Sequence, residues 1–208
     1  MHQGGASETA VAFDGAGNGF AVMRTELPEP PDGTAGSNVC HAAAGDLAHW
    51  TCKPDKRKFD SPFMFEHDGE IYLLARRNLG QKGLYAPERV TTVEDYVFLQ
   101  EKYACARKRC ALWRYVQSED RIAYVTDLPS RGDTCFPSVL PGDHPDEVVV
   151  YDYSAPLNDP VEQRWCEAQF DVTHIYRHVL HFSPNDGTKK QVGAYQPPTT
   201  EDARACEQ

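Results

Sequence analysis

Three stretches of the chain repeat one pattern: a short apolar run, a turn rich in Gly and Asp, then a β-branched or aromatic run. Residues 9–13 (TAVAF) lead through the turn 14–19 (DGAGNG) into 20–24 (FAVMR). Residues 61–65 (SPFMF) lead through His67, Asp68 and Gly69 into 70–76 (EIYLLAR). Residues 136–140 (FPSVL) lead through 141–146 (PGDHPD) into 147–153 (EVVVYDY). Asp-Gly steps between such runs predict β-hairpins. Further strands are predicted at 111–116 and 121–127, as the outer hairpin of the second unit. A strand at 173–182 adds to the third unit. Four-stranded units repeated along a chain are the blade pattern of a propeller. Arg24 and Arg76 stand 52 residues apart, close to a blade period of roughly 40–50 residues. The predicted fold is therefore all-β, a β-propeller fragment of about three four-stranded blades.

The units occupy residues 1–182. An insertion at 91–109 has Thr92 and Asp95 placed to cap a short helix. Residues 28–36 (PEPPDGTAG) read as an exposed loop, and 183–208 as a polar tail. A propeller closes with at least ~4 blades. The reading therefore expects further, N-terminal blades of a longer parent chain.

The net charge of −10 disfavours nucleic acid and anionic lipid as partners. Arg107, Lys108 and Arg109, with Lys102 nearby, read as a solvated basic bump. No run reaches the ~18 apolar residues of a transmembrane span. Seven cysteines without a CxxC pair point to disulfides in an oxidising compartment, hence a secreted, periplasmic or cell-surface location. The expected pairs are Cys40–Cys52, Cys105–Cys110 and Cys135–Cys166, with Cys206 left over.

Residues 58–77 (KFDSPFMFEHDGEIYLLARR) resemble a blade of the sialidase superfamily and of the five-bladed furanosidase glycosidases. Residues 8–24 and 132–154 are similar to two more such blades. The resemblance implies a carbohydrate-active propeller with a glycan partner, acting on terminal sugars as a glycoside hydrolase. In such a fold the start of each inner strand points to one end of the central channel. Glu8, Asp60 and Asp133 hold that place, and glycoside hydrolysis needs paired carboxyl groups. They are the candidate catalytic residues. Arg24 and Arg76 end second strands and are the candidate substrate-binding residues, since a guanidinium grips carboxylates by a two-point fork. Any one of these acids equally suits a turn or strand-start cap.

The Ser-x-Asp-x-Gly-x-x-Trp box of sialidases does not occur in the chain. Phe136, without a hydroxyl, stands where their tyrosine nucleophile would. A non-catalytic glycan-binding propeller is therefore the first alternative. A protein-interaction scaffold, suggested by the tripeptide Arg131-Gly132-Asp133, is the second. Trp50, Trp113, Trp165, Tyr151 and Tyr153 read as core. No cofactor is expected. His41, His49, His174, His178 and His181 lack metal-site spacing, so no metal is expected.

Overall fold

The computed structural model describes residues 6–29, 35–86 and 88–182. The expected tail at 183–208, with Cys206, lies outside these residues. Three antiparallel sheets follow one another along the chain. The first is β1 (Ala6–Phe13), β2 (Gly19–Glu29), β3 (Ala35–Ala42) and β4 (Thr51–Asp55). The second is β5 (Asp60–His67), β6 (Glu70–Asn78), β7 (Lys108–Val116) and β8 (Arg121–Asp127). The third is β9 (Ser138–Pro141), β10 (Glu147–Ser154) and β11 (His174–His181). Strand order equals chain order in each, the up-and-down meander of a propeller blade. The expected blades are thus present, the third with three strands among the described residues.

Local chemistry sets the turns. Asp68 (φ 51°) and Gly69 (φ 76°) form the two-residue left-handed turn that an Asp-Gly step favours, joining β5 to β6. Asp14 folds the first turn by accepting the amides of Ala16 (3.0 Å) and Asn18 (2.8 Å) on Oδ1. The 28–36 stretch is shorter as a loop than expected, because β2 runs to Glu29 and β3 begins at Ala35.

Alternation on the central strands builds the core between blades. Ile71, Leu73 and Ala75 of β6 meet Ala10, Phe20, Val22 and Val39 of the first blade. Tyr72 and Leu74 turn the other way, to Val148, Val150 and Leu180 of the third. Phe20 and Tyr115 pack edge-to-face at 4.9 Å, as do Phe59 and Trp113 at 5.2 Å. Trp113 is core as expected, whereas Trp50 and Tyr151 are exposed.

The insertion folds as the expected helix, α1 (Val93–Ala104). Thr92 Oγ1 accepts the Asp95 amide, and Asp95 Oδ2 accepts the Thr92 amide, both at 3.0 Å. Its buried residues, Leu99 and Tyr103, lie one turn apart and pack on Tyr85 and Ala86. Lys108, just beyond α1, contradicts the solvated-bump reading. It opens β7 and is fully buried.

Cysteine pairing differs from expectation in two of three bridges. Cys40–Cys52 joins register partners on β3 and β4 as expected. Cys110 faces the third blade and pairs with Cys135; Cys105 caps α1 and pairs with Cys166 in the short helix α2 (Trp165–Ala168). Chain spacing favoured local pairs, but facing direction on β7 decides the partner. Because Cys105–Cys166 spans 61 residues, replacing both by Ser is expected to cost about 4 kcal/mol by loop-closure entropy. Urea unfolding checks this, and an unchanged midpoint contradicts it.

Candidate functional site

The inner strands begin irregularly. The β1–β2 register shifts between Ala6 and Thr9, and the β5–β6 register between Asp60 and Phe63. Ser61 there has φ 50°, and Cys135 has φ 84° at the start of the third blade. Such bulges re-aim side chains. Here they turn the Ser61 amide onto Glu8 Oε2 at 2.5 Å, linking the first two blades.

The five predicted site residues come together in one alternating chain of charge. Arg24 Nη1 lies 3.0 Å from Glu8 Oε1 and 3.3 Å from Asp60 Oδ1. Since one nitrogen touches both, the two carboxyl oxygens are at most about 6 Å apart. Arg76 repeats the arrangement one blade on, with Nη1 3.9 Å from Asp60 Oδ2 and Nη2 3.9 Å from Asp133 Oδ1. The repeat follows from strand parity. Phe20, Val22 and Arg24 share one face of β2, as Tyr72, Leu74 and Arg76 share one face of β6. Each arginine therefore reaches the acid of the next blade.

Exposure grades along this chain. The Asp60 side chain is 3 % exposed and that of Glu8 30 %. Asp133 and both arginines lie between.

Residues that the sequence reading did not single out complete the site. Tyr103 of α1 donates its hydroxyl to Asp60 Oδ2, and burial with Asp60 beside it holds its pKa well above the ordinary value. Glu26 pairs with Arg24 at 2.5 Å and with Lys58 at 3.2 Å. Asp133 Oδ1 accepts from Trp165 Nε1 (2.9 Å) and the Tyr153 hydroxyl (3.1 Å). These two, read as core, hold a site carboxylate instead. Arg76 Nε donates to the Thr134 carbonyl at 2.7 Å, and its guanidinium lies over the Trp165 ring. Burial opposes its charge, yet Asp60, Tyr103, Tyr153 and Asp133 raise its pKa.

Asp152, on the buried face of β10 with Val148 and Val150, has its pKa pushed up to about 7 by burial. The Phe136 amide and the Thr134 hydroxyl, each at 3.2 Å, act against that shift. The alternation Val-Val-Val-Tyr-Asp-Tyr carried the signal for a buried acid there. Asp152 also lies near the sulfurs of Cys110 and Cys135, but these are bonded to each other, which removes the thiolates a metal would need.

The Arg131-Gly132-Asp133 tripeptide is tied up internally. Arg131 donates to the carbonyls of Leu157 (3.0 Å), Asp159 (2.7 Å) and Val161 (2.7 Å). Asp133 belongs to the charged chain.

No protein-family model and no curated protein sequence matches this chain. Solved structures do. The α-L-arabinofuranosidase Arb93A of Fusarium graminearum, bound to an iminosugar inhibitor, superposes with a TM-score of 0.52 at 7 % identity, over 84 % of this chain and 45 % of that one. The GH93 α-L-arabinofuranosidase of Fusarium graminearum in complex with arabinobiose gives 0.50 at 8 %, with the same coverage. The Penicillium chrysogenum α-L-arabinanase complexed with arabinobiose gives 0.48 at 11 %, over 94 % of this chain and 51 % of that one. The chain thus spans about half the length of these proteins, and what the likeness establishes is architecture: a β-propeller fold of the kind found in glycosidases.

Proposed function

We propose that the chain carries the sugar-handling site of a propeller glycoside hydrolase acting on terminal sugars of a glycan. The observation that supports this is the unbroken run Glu8–Arg24–Asp60–Arg76–Asp133 across three blades, with its two end carboxylates partly exposed. In this reading Glu8 and Asp133, the more exposed acids, exchange protons with the glycosidic oxygen and water. Asp60 fixes the field between the two arginines, and Arg24 and Arg76 orient the substrate. The arabinofuranosidase likeness makes terminal arabinofuranosides the first substrates to try. Three disulfides among the described residues suit an oxidising environment, and export follows within this proposal. None of the described helices is long and apolar enough to cross a membrane.

A panel of p-nitrophenyl glycosides with arabinofuranose, arabinopyranose and sialic acid tests the reading. Wild type is expected to release p-nitrophenol from at least one. Glu8→Gln is expected to lower kcat/KM by about 100-fold or more, as loss of an acid–base group does. Its melting temperature should stay within a few degrees, because Glu8 is partly solvated. No release from any member of the panel contradicts hydrolysis.

One observation favours binding without cleavage. Both oxygens of Asp60 are engaged, by Arg24, Arg76 and Tyr103, on a side chain almost sealed from solvent. Affinity for the sugars without release of product selects that alternative.

A further inference from the structure

Beside the charged chain lies a second feature, which shares Arg76 with it and is otherwise outside the proposed hydrolysis. A cavity of about 350 Å3 opens on the face of the second blade that looks toward the first. Five of its eleven lining residues are Arg or Lys, and none is Asp or Glu. Four of the five cations pair with acids set back from the cavity, which leaves Lys82 as the one without an acid partner among the described residues.

The cations are held in place before any ligand arrives. Arg57 is gripped along one edge by Asp55, through Nε at 2.8 Å and Nη2 at 2.5 Å, and lies over the rings of Phe59 and Trp113. Arg77 is gripped the same way by Asp127, through Nε at 2.7 Å and through Nη2, and lies over Tyr124. Each acid takes the Nε edge and leaves Nη1 without a protein partner among the described residues.

A strained turn supplies the third cation. Gln81 (φ 53°) and Lys82 (φ 57°) are consecutive left-handed residues, followed by Gly83 (φ 83°). Non-glycine residues take this conformation at a cost, and such strain gathers at ligand sites. Lys82 is exposed at the cavity, with no ion pair among the described residues. Tyr124, half exposed, offers a ring surface beside it. The volume falls in the range of small-molecule sites.

We propose that this cavity binds a carboxylate-bearing sugar ring, a hexuronic acid unit. Arg57 Nη1, Arg77 Nη1 and Lys82 Nζ receive the carboxylate, and Tyr124 receives the apolar face of the ring. Arg76 and Lys58 belong both to the cavity wall and to the charged chain, so an acidic unit here lies next to the proposed hydrolytic site. The chain would thus select acidic branches of a glycan.

The test is equilibrium binding to the intact protein, by calorimetry at low salt, with digalacturonate, arabinobiose and inorganic sulfate as separate probes. No turnover is read, so the outcome is independent of whether the chain hydrolyses glycosides. Digalacturonate is expected to bind, with sulfate at least ten-fold weaker and unable to displace it at equal concentration. Lys82→Ala and Tyr124→Ala are each expected to weaken digalacturonate about ten-fold, leaving the melting temperature unchanged. Any affinity for arabinobiose should be unaffected by both. Absence of digalacturonate binding, equal affinity in the two variants, or sulfate competing as well as the sugar each overturns the proposal.

Discussion

Lys108→Met is expected to stabilise the protein, with a melting temperature several degrees higher at pH 7 and a gain that shrinks toward pH 10. Lys108 Nζ is fully buried and sits 3.2 Å from the centre of the Tyr103 ring, with no hydrogen-bond partner among the described residues. Burial pushes its pKa down to about 6, further lowered by Arg76 and Lys58 and only partly offset by Asp60. The folded state therefore holds a neutral amine between pH 6 and 10.5, where the unfolded chain holds a charged one. The unfolded state binds the extra proton, so stability must rise with pH across that window, by about 1.4 kcal/mol per pH unit. The contribution is lost progressively as pH falls toward 6. Met fills a similar volume, needs no proton and no partner, and removes the slope. Denaturant unfolding of wild type and variant at pH 7, 8, 9 and 10 checks this. Parallel pH profiles, or a destabilised Lys108→Met, contradict a buried neutral lysine.

Asp60→Asn is expected to reduce turnover about 1,000-fold and to cost about 3 kcal/mol of stability, both effects following from the loss of one buried charge. Asp60 is the only acid of the run that touches both Arg24 and Arg76. Without its charge Arg76, almost wholly buried, keeps one carboxylate, Asp133 at 3.9 Å, beside the Thr134 carbonyl, and Arg24 keeps Glu8 and Glu26. Asn also offers Tyr103 a weaker acceptor. The two readouts separate the roles. Loss of stability with retained turnover makes Asp60 an inter-blade pin only, and loss of turnover with retained stability makes it a catalytic group free of structural duty. Both losses together are the expected result, measured by thermal unfolding and by aryl-glycoside hydrolysis.

The strands that were legible in the sequence are those whose turns carry their own chemistry. Asp14, Asp68 and Gly69 fold turns with local hydrogen bonds or left-handed backbone, and Thr92 with Asp95 starts α1. By contrast β3 reads Ala-Gly-Ser-Asn-Val-Cys-His-Ala and is buried on both faces, so no alternation marks it. That Glu8, Asp60 and Asp133 come together was legible because the blade repeats, and that Arg24 and Arg76 join them because strand parity repeats with it. Tyr103, Lys108 and Asp152 were not. Tyr103 reaches Asp60 from the inserted helix, and Lys108 is sealed by that same helix, a contact no local pattern records. Cys110 pairs with Cys135 for the same kind of reason: partners in different blades are set by packing between sheets.

The most direct test of the account is a crystal structure of the protein soaked with arabinobiose. A sugar hydroxyl or ring oxygen within hydrogen-bond reach of Glu8 or Asp133, with Arg24 or Arg76 beside it, is the result predicted. A sugar bound away from this run of charges, or none bound at saturating concentration, contradicts it and leaves Glu8, Arg24, Asp60, Arg76 and Asp133 as ion pairs that hold three blades together.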